Sequence, residues 1–116
     1  MKPVIYLGSS QNDIERFPDV AKQRIMTALT AVCAGIKLSP TEFKYMPTVG
    51  TGVYEIRIKT DRQYRVFYIA KFDEAVYVLH AFIKKSQQTK KKDIQLGSSR
   101  YKALLHDRLG NSYEKN

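Results

Sequence analysis

Tyr54-Glu55-Ile56-Arg57-Ile58-Lys59, the polar link Thr60-Asp61-Arg62, and Tyr64-Arg65-Val66-Phe67-Tyr68-Ile69-Ala70 decide the fold. The first run alternates apolar with charged residues over six positions, the period of two that gives a β-strand one buried face. The second is apolar on both faces apart from Arg65, and so is Val76 to Ile83 apart from His80, as central strands are. Short polar connections, Thr60-Asp61-Arg62 and Phe72-Asp73-Glu74, predict antiparallel hairpins. Burial sets the register of the first hairpin. Pairing Ile58 with Tyr64, Ile56 with Val66 and Tyr54 with Tyr68 makes one continuous apolar face, whereas a slip of one residue sets Ile56 against Arg65. The same register sets Arg57 directly opposite Arg65.

Upstream of this core, Val4 to Leu7 reads as a short strand, and Gly8-Ser9-Ser10 supplies a turn and a candidate helix cap. From Ile14 the apolar residues Phe17, Ala21, Ile25, Leu29 and Val32 follow at intervals of three or four, one side of an α-helix. Pro18 must interrupt that stripe or open a second helix, since proline fits best in a helix's first turn. Gly35 is the expected stop. Pro40, Pro47, Gly50 and Gly52 make residues 36–52 a loop in which Phe43 and Tyr45 serve as anchors. Downstream, a polar and basic stretch from Lys84 to Asp93 leads into a helix through Ile94, Tyr101, Leu104 and Leu105. Gly110-Asn111 should end it and leave residues 111–116 as a loose tail. The expected architecture is α+β: an N-terminal strand and helices packed on an antiparallel sheet, with a C-terminal helix.

The 116 residues suit one domain spanning residues 1–116, and 43% hydrophobic residues are enough to fold it. Twenty Lys and Arg against eleven Asp and Glu give a formal charge of +9, which makes a polyanion the first partner to test, although a basic excess also serves solubility. One cysteine, Cys33, forms no internal disulfide and no multi-cysteine metal site. The opening residues carry too short an apolar run for a signal peptide, and no segment has the length of a membrane span, so the expected compartment is the cytoplasm.

Like charges opposed across a ladder cost a sheet up to about 1 kcal/mol, so the Arg57–Arg65 pair makes sense with an anion between the two. Phosphate suits guanidinium groups, which bind its oxygens in pairs. The alternative is that both arginines fan into solvent or pair with Glu55 and Asp61. Lys84 and Lys85 leave a strand end near Arg65, and Lys90, Lys91 and Lys92 follow; such a run is either part of a basic site or a solvated turn. His80 has the titration range for acid–base work but sits in an apolar strand, where a satisfied core histidine is the plainer reading. Phosphate-loop, dinucleotide, zinc-protease and paired-cysteine motifs are absent from the sequence. Asp13, Glu15, Glu42, Asp73 and Glu74 are scattered, which argues against a two-metal nuclease. RNA cleavage without a metal or other cofactor remains: the ribose 2′-hydroxyl attacks the neighbouring phosphate and cations steady the charge that develops.

Three blocks taken together, Gly52-Val53-Tyr54-Glu55-Ile56-Arg57-Ile58, Tyr64-Arg65-Val66-Phe67-Tyr68-Ile69 and Leu79-His80-Ala81-Phe82-Ile83-Lys84-Lys85-Ser86, resemble the RelE/HigB superfamily of type II toxin–antitoxin toxins. The likeness is nearest to its phage-derived HigB-like branch, and Asp13-Ile14 with Phe17-Pro18 and the downstream basic helix extend it over most of the chain. The resemblance implies a small α+β endoribonuclease that cleaves messenger RNA on the translating ribosome. It also implies a cognate antitoxin, expected to be a helix-turn-helix protein, with operator DNA met only through that antitoxin and no membrane involved. On this likeness Arg57 and Arg65 match positions that contact the scissile phosphate, Lys85 matches a basic position after the last strand, and Lys84 shares its role. Lys59, Arg62, Lys90, Lys91 and Lys92 would steer RNA, and His80 is the candidate acid or base because histidines serve catalysis in the HigB group. Glu55 stands where RelE has a lysine, and no tyrosine follows Lys85 at the spacing RelE uses. The second hypothesis is therefore a catalytically weak relative that acts as antitoxin-binding partner and corepressor.

Overall fold

The computed structural model describes the backbone of residues 1–114 and the side chains of residues 1–110. The elements run β1 (Val4–Tyr6), α1 (Ser10–Glu15), α2 (Asp19–Cys33), β2 (Phe43–Tyr45), β3 (Val53–Lys59), β4 (Gln63–Ile69), β5 (Val76–Lys84) and α3 (Lys91–Glu114). The five strands form one sheet in the order β1-β5-β4-β3-β2. All neighbours are antiparallel except β1, which lies parallel to β5 with Val4 beside Val76.

Pro18 opens α2 from its cap position, with φ −55° already helical and its carbonyl accepting the Lys22 amide. The helix ends at Gly35, whose φ of +77° is the left-handed turn that glycine adopts at no steric cost, and the Ile36 amide closes back on the Ala31 carbonyl. The β3–β4 register is the one burial demands: Ile58 opposite Tyr64, Ile56 opposite Val66, Tyr54 opposite Tyr68, Arg57 opposite Arg65.

Two cores flank the sheet. On one side Ile25 and Leu29 of α2 pack with Ile14 of α1 on Ile56, Ile58, Tyr64 and Val66. On the other, Tyr101 and Leu104 of α3 pack on Phe67, Ile69 and Leu79. Gly97 lets α3 come this close, since a Cβ there would stand 2.7 Å from the Phe67 ring.

The structure departs from the sequence reading in two places and completes it in a third. Phe43 to Tyr45 is an edge strand inside the expected loop, because Lys44 and its neighbours pair with Tyr54 to Ile56. The N-terminal strand, for which the sequence specified no partner, joins the sheet edge parallel to β5. Gly110 does not stop α3, which runs to Glu114, because an exposed glycine that keeps helical φ costs a helix only about 1 kcal/mol. Of the stretch 111–116 expected as a tail, the backbone is therefore helical to Glu114, and the last two residues lie outside the described ones.

A candidate active site on the α3 side of the sheet

Alternation puts Glu55, Arg57 and Lys59 of β3 on one face with Gln63, Arg65 and Phe67 of β4. Phe82 and Lys84 of β5 join them opposite Arg65 and Gln63. His80 continues the alternation of Lys84 and Phe82 and pairs with Phe67; the irregularity comes next, where Tyr68 pairs with Val78 and Leu79 has no partner in the ladder. This bulge puts Leu79 on the α3 side as well, next to His80.

Arg57 and Arg65 lie side by side as expected, and the anion between them belongs to the chain. Glu55 Oε1 is 3.5 Å from Arg65 Nε and 3.7 Å from Arg57 Nε. The two arginines are not equivalent. Arg65 is buried, with its Nη1 donating to the Tyr64 carbonyl and its Nη2 to Gln63 Oε1 at 2.6 Å, whereas the Arg57 side chain is 37% exposed. Glu55 is 3% exposed, and its Oε2 is buried with no hydrogen-bond partner.

Burial pushes the Glu55 carboxyl above the ordinary carboxylate range, outweighing the pull of Arg65, Arg57, Lys84 and Lys44 in the opposite direction. The same desolvation lowers Arg65, against the attraction of Glu55. Lys84 is lowered too, by burial first and by the neighbouring Arg65 next. Four cations thus surround one carboxylate.

His80 occupies a different position from the one its candidacy requires. Its Nε2 is 2.8 Å from Asp93 Oδ1 in the first turn of α3, its Nδ1 is buried without a partner, and its ring stacks on Phe82 at 5.0 Å. Both nitrogens are withdrawn from the open face. Tyr101 is remote as well: it packs on Gly50 and donates to the Thr51 carbonyl.

Of the residues expected to steer RNA, Lys59 and Arg62 line one groove of about 510 Å³ with Lys84 and Lys85. Lys85 also lines a second groove with Arg16, Lys90 and Lys92, so the two share a basic edge. Lys91 is exposed at the first position of α3 and lines neither. Sequence reasoning missed Lys44, which the unrecognised edge strand sets opposite Glu55, and Asp93, whose only signal was its place at a helix start. Among the described residues no group of three or more His, Cys, Asp and Glu is placed to hold a metal ion.

The family model described as phage derived protein Gp49-like matches residues 12–102. The chain belongs to this family. Gp49-like proteins form a HigB-like family of toxins in the RelE superfamily, and the topology here is RelE-like. The match takes in the arginine pair, Glu55, His80 and the lysines from Lys84 to Lys92. The chain matches none of the curated proteins with which it was compared. No described helix of this Gp49-like protein is long and apolar enough to cross a membrane. Membership in a toxin family implies a cognate antitoxin.

Proposed function

We propose that this Gp49-like protein is the toxin of a type II toxin–antitoxin pair and an endoribonuclease that cleaves messenger RNA on the translating ribosome, in the cytoplasm and without a cofactor. One observation carries the reading. Arg57, Arg65 and Lys84 converge on one face of the sheet, and the edge of that face continues into a groove lined by Lys59, Arg62 and Lys85. Arg57, the more exposed guanidinium, takes the scissile phosphate. Arg65 acts from behind it, and Lys84 with Lys85 neutralises the charge that builds as the 2′-oxygen attacks. Lys59, Arg62, Lys90, Lys91 and Lys92 draw in ribosomal and messenger RNA over a longer range. His80, held by Asp93, supports the sheet beneath these groups. The antitoxin is a helix-turn-helix protein that silences the toxin and carries it to operator DNA.

A second reading has its own support. Arg65 is buried and Glu55 already fills the gap between the guanidiniums, which favours a weak catalyst that works by binding its antitoxin and assisting repression. Induction in growing cells separates the two. The nuclease reading expects arrested growth and messenger RNA cut at mapped sites, with both effects lost in Arg57→Ala. Normal growth and intact messenger RNA under full induction of the unmodified chain would leave the corepressor reading in its place.

A further inference from the structure

The proposed reaction needs a group that takes the proton from the ribose 2′-hydroxyl. His80 is poorly placed, with one nitrogen engaged by Asp93 and the other buried. Tyr101 is committed to the Thr51 carbonyl. Lys84 in its charged form has no lone pair to accept a proton. Glu55 lies between the arginines that would hold the phosphate, and it is the carboxylate nearest to both.

We propose, resting on the nuclease reading, that Glu55 is the general base of this site. The Glu55 side chain is 4% exposed and its Oε1 lies within 4 Å of Arg57, the more exposed arginine, so a phosphate that draws that guanidinium outward uncovers the oxygen for the adjoining ribose. Glu55 takes the 2′-hydroxyl proton as the 2′-oxygen bonds to phosphorus. The bond from phosphorus to the 5′-oxygen breaks, and that oxygen leaves with a proton from solvent. The products are a 2′,3′-cyclic phosphate and a 5′-hydroxyl, and no electrons are exchanged with any other species. A carboxylate opposed by two guanidiniums would ordinarily be a feeble base; burial works the other way and keeps its affinity for a proton. The arginine pair therefore has two duties, holding the phosphate and fixing the base beside it.

The test is single-turnover cleavage of messenger RNA on programmed ribosomes across a pH series, with the unmodified chain, Glu55→Gln and Glu55→Asp. The unmodified chain should lose rate as pH falls through the range in which Glu55 takes up a proton. Glu55→Gln should be slower by at least about 100-fold, with that acid limb gone and RNA binding retained or tightened. Glu55→Asp keeps a carboxylate and should recover part of the rate together with an acid limb, which decides the matter if the glutamine variant does not fold. The assignment is overturned if Glu55→Gln cleaves within threefold of the parent with the same acid limb, or if Glu55→Asp shows no such limb. A parent chain that does not cleave at any pH would remove the nuclease reading itself, and Glu55's role with it.

Discussion

Replacing Arg65 by alanine would take from the buried Glu55 carboxylate its one buried guanidinium partner, and breaking a buried ion pair from one side costs about 3–5 kcal/mol. Arg57→Ala should cost less than about 1 kcal/mol, since water screens that guanidinium already. Urea unfolding at neutral pH should show this order, and adding Glu55→Gln to Arg65→Ala should restore much of the loss. Glu55 also gives stability a pH dependence of known sign. Its native pKa lies above the unfolded value, so folding holds the proton more tightly, and the associated stability is present at acid pH and lost as pH rises through the native value. Between pH 4 and 8 the parent should lose stability relative to Glu55→Gln; parallel curves would contradict the burial argument. The register that set Arg57 beside Arg65 could be read from the alternation of Tyr54 to Lys59, but the state of Glu55 could not. Alternation assigns it to the charged face, and only the tertiary arrangement, with Phe67 opposite on β4 and β2 alongside, buries that part of the face.

At the scale of elements, two local devices help to hold the start of α3 to the sheet. Asp93 ties its first turn to His80 of β5, and Gly97 admits the Phe67 ring. Asp93→Ala strands a buried imidazole and should cost about 1–3 kcal/mol, with faster amide hydrogen exchange in the first turns of α3 than in β3 and β4. Gly97→Ala forces a methyl against Phe67 and Val49 and should cost about 1–3 kcal/mol by overpacking; an unchanged thermal midpoint would mean that α3 shifts freely on the sheet. The central hairpin and α2 were legible because a period of two and a period near 3.6 are local properties of a chain. Strand β2 was not, since three residues between prolines and glycines carry no period, and its partner is chosen across the sheet. The turn of Leu79 toward α3, on the same side as His80, depends on its being unpaired in the ladder, which no pattern in Val76 to Lys84 announces.

The whole molecule carries a net charge of +9, and its lysines and arginines have unequal tasks on the proposed reading. Lys90, Lys91 and Lys92 should govern approach rather than chemistry. Changing all three to alanine should reduce the slope of log affinity for single-stranded RNA against log salt by about 2, at about 0.7 per phosphate contact, and leave the single-turnover rate on bound RNA within a few-fold. A fall in that rate with the salt slope intact would reverse the assignment. The α+β class and layer order follow from the sequence of periods along the chain. The parallel pairing of β1 does not, because it joins the first strand to the last.

That pairing imposes an order of assembly. Val4 to Tyr6 leave the ribosome before Val76 to Val78 and wait for them, so the sheet gains this edge only after β5 has been made. A nascent chain halted before β5 carries Arg57 and Arg65 with no Phe82 or Lys84 beside them. If the finished face attacks the messages that ribosomes read, no ribosome can be harmed by the polypeptide it is making until β5 has followed β4 into the sheet.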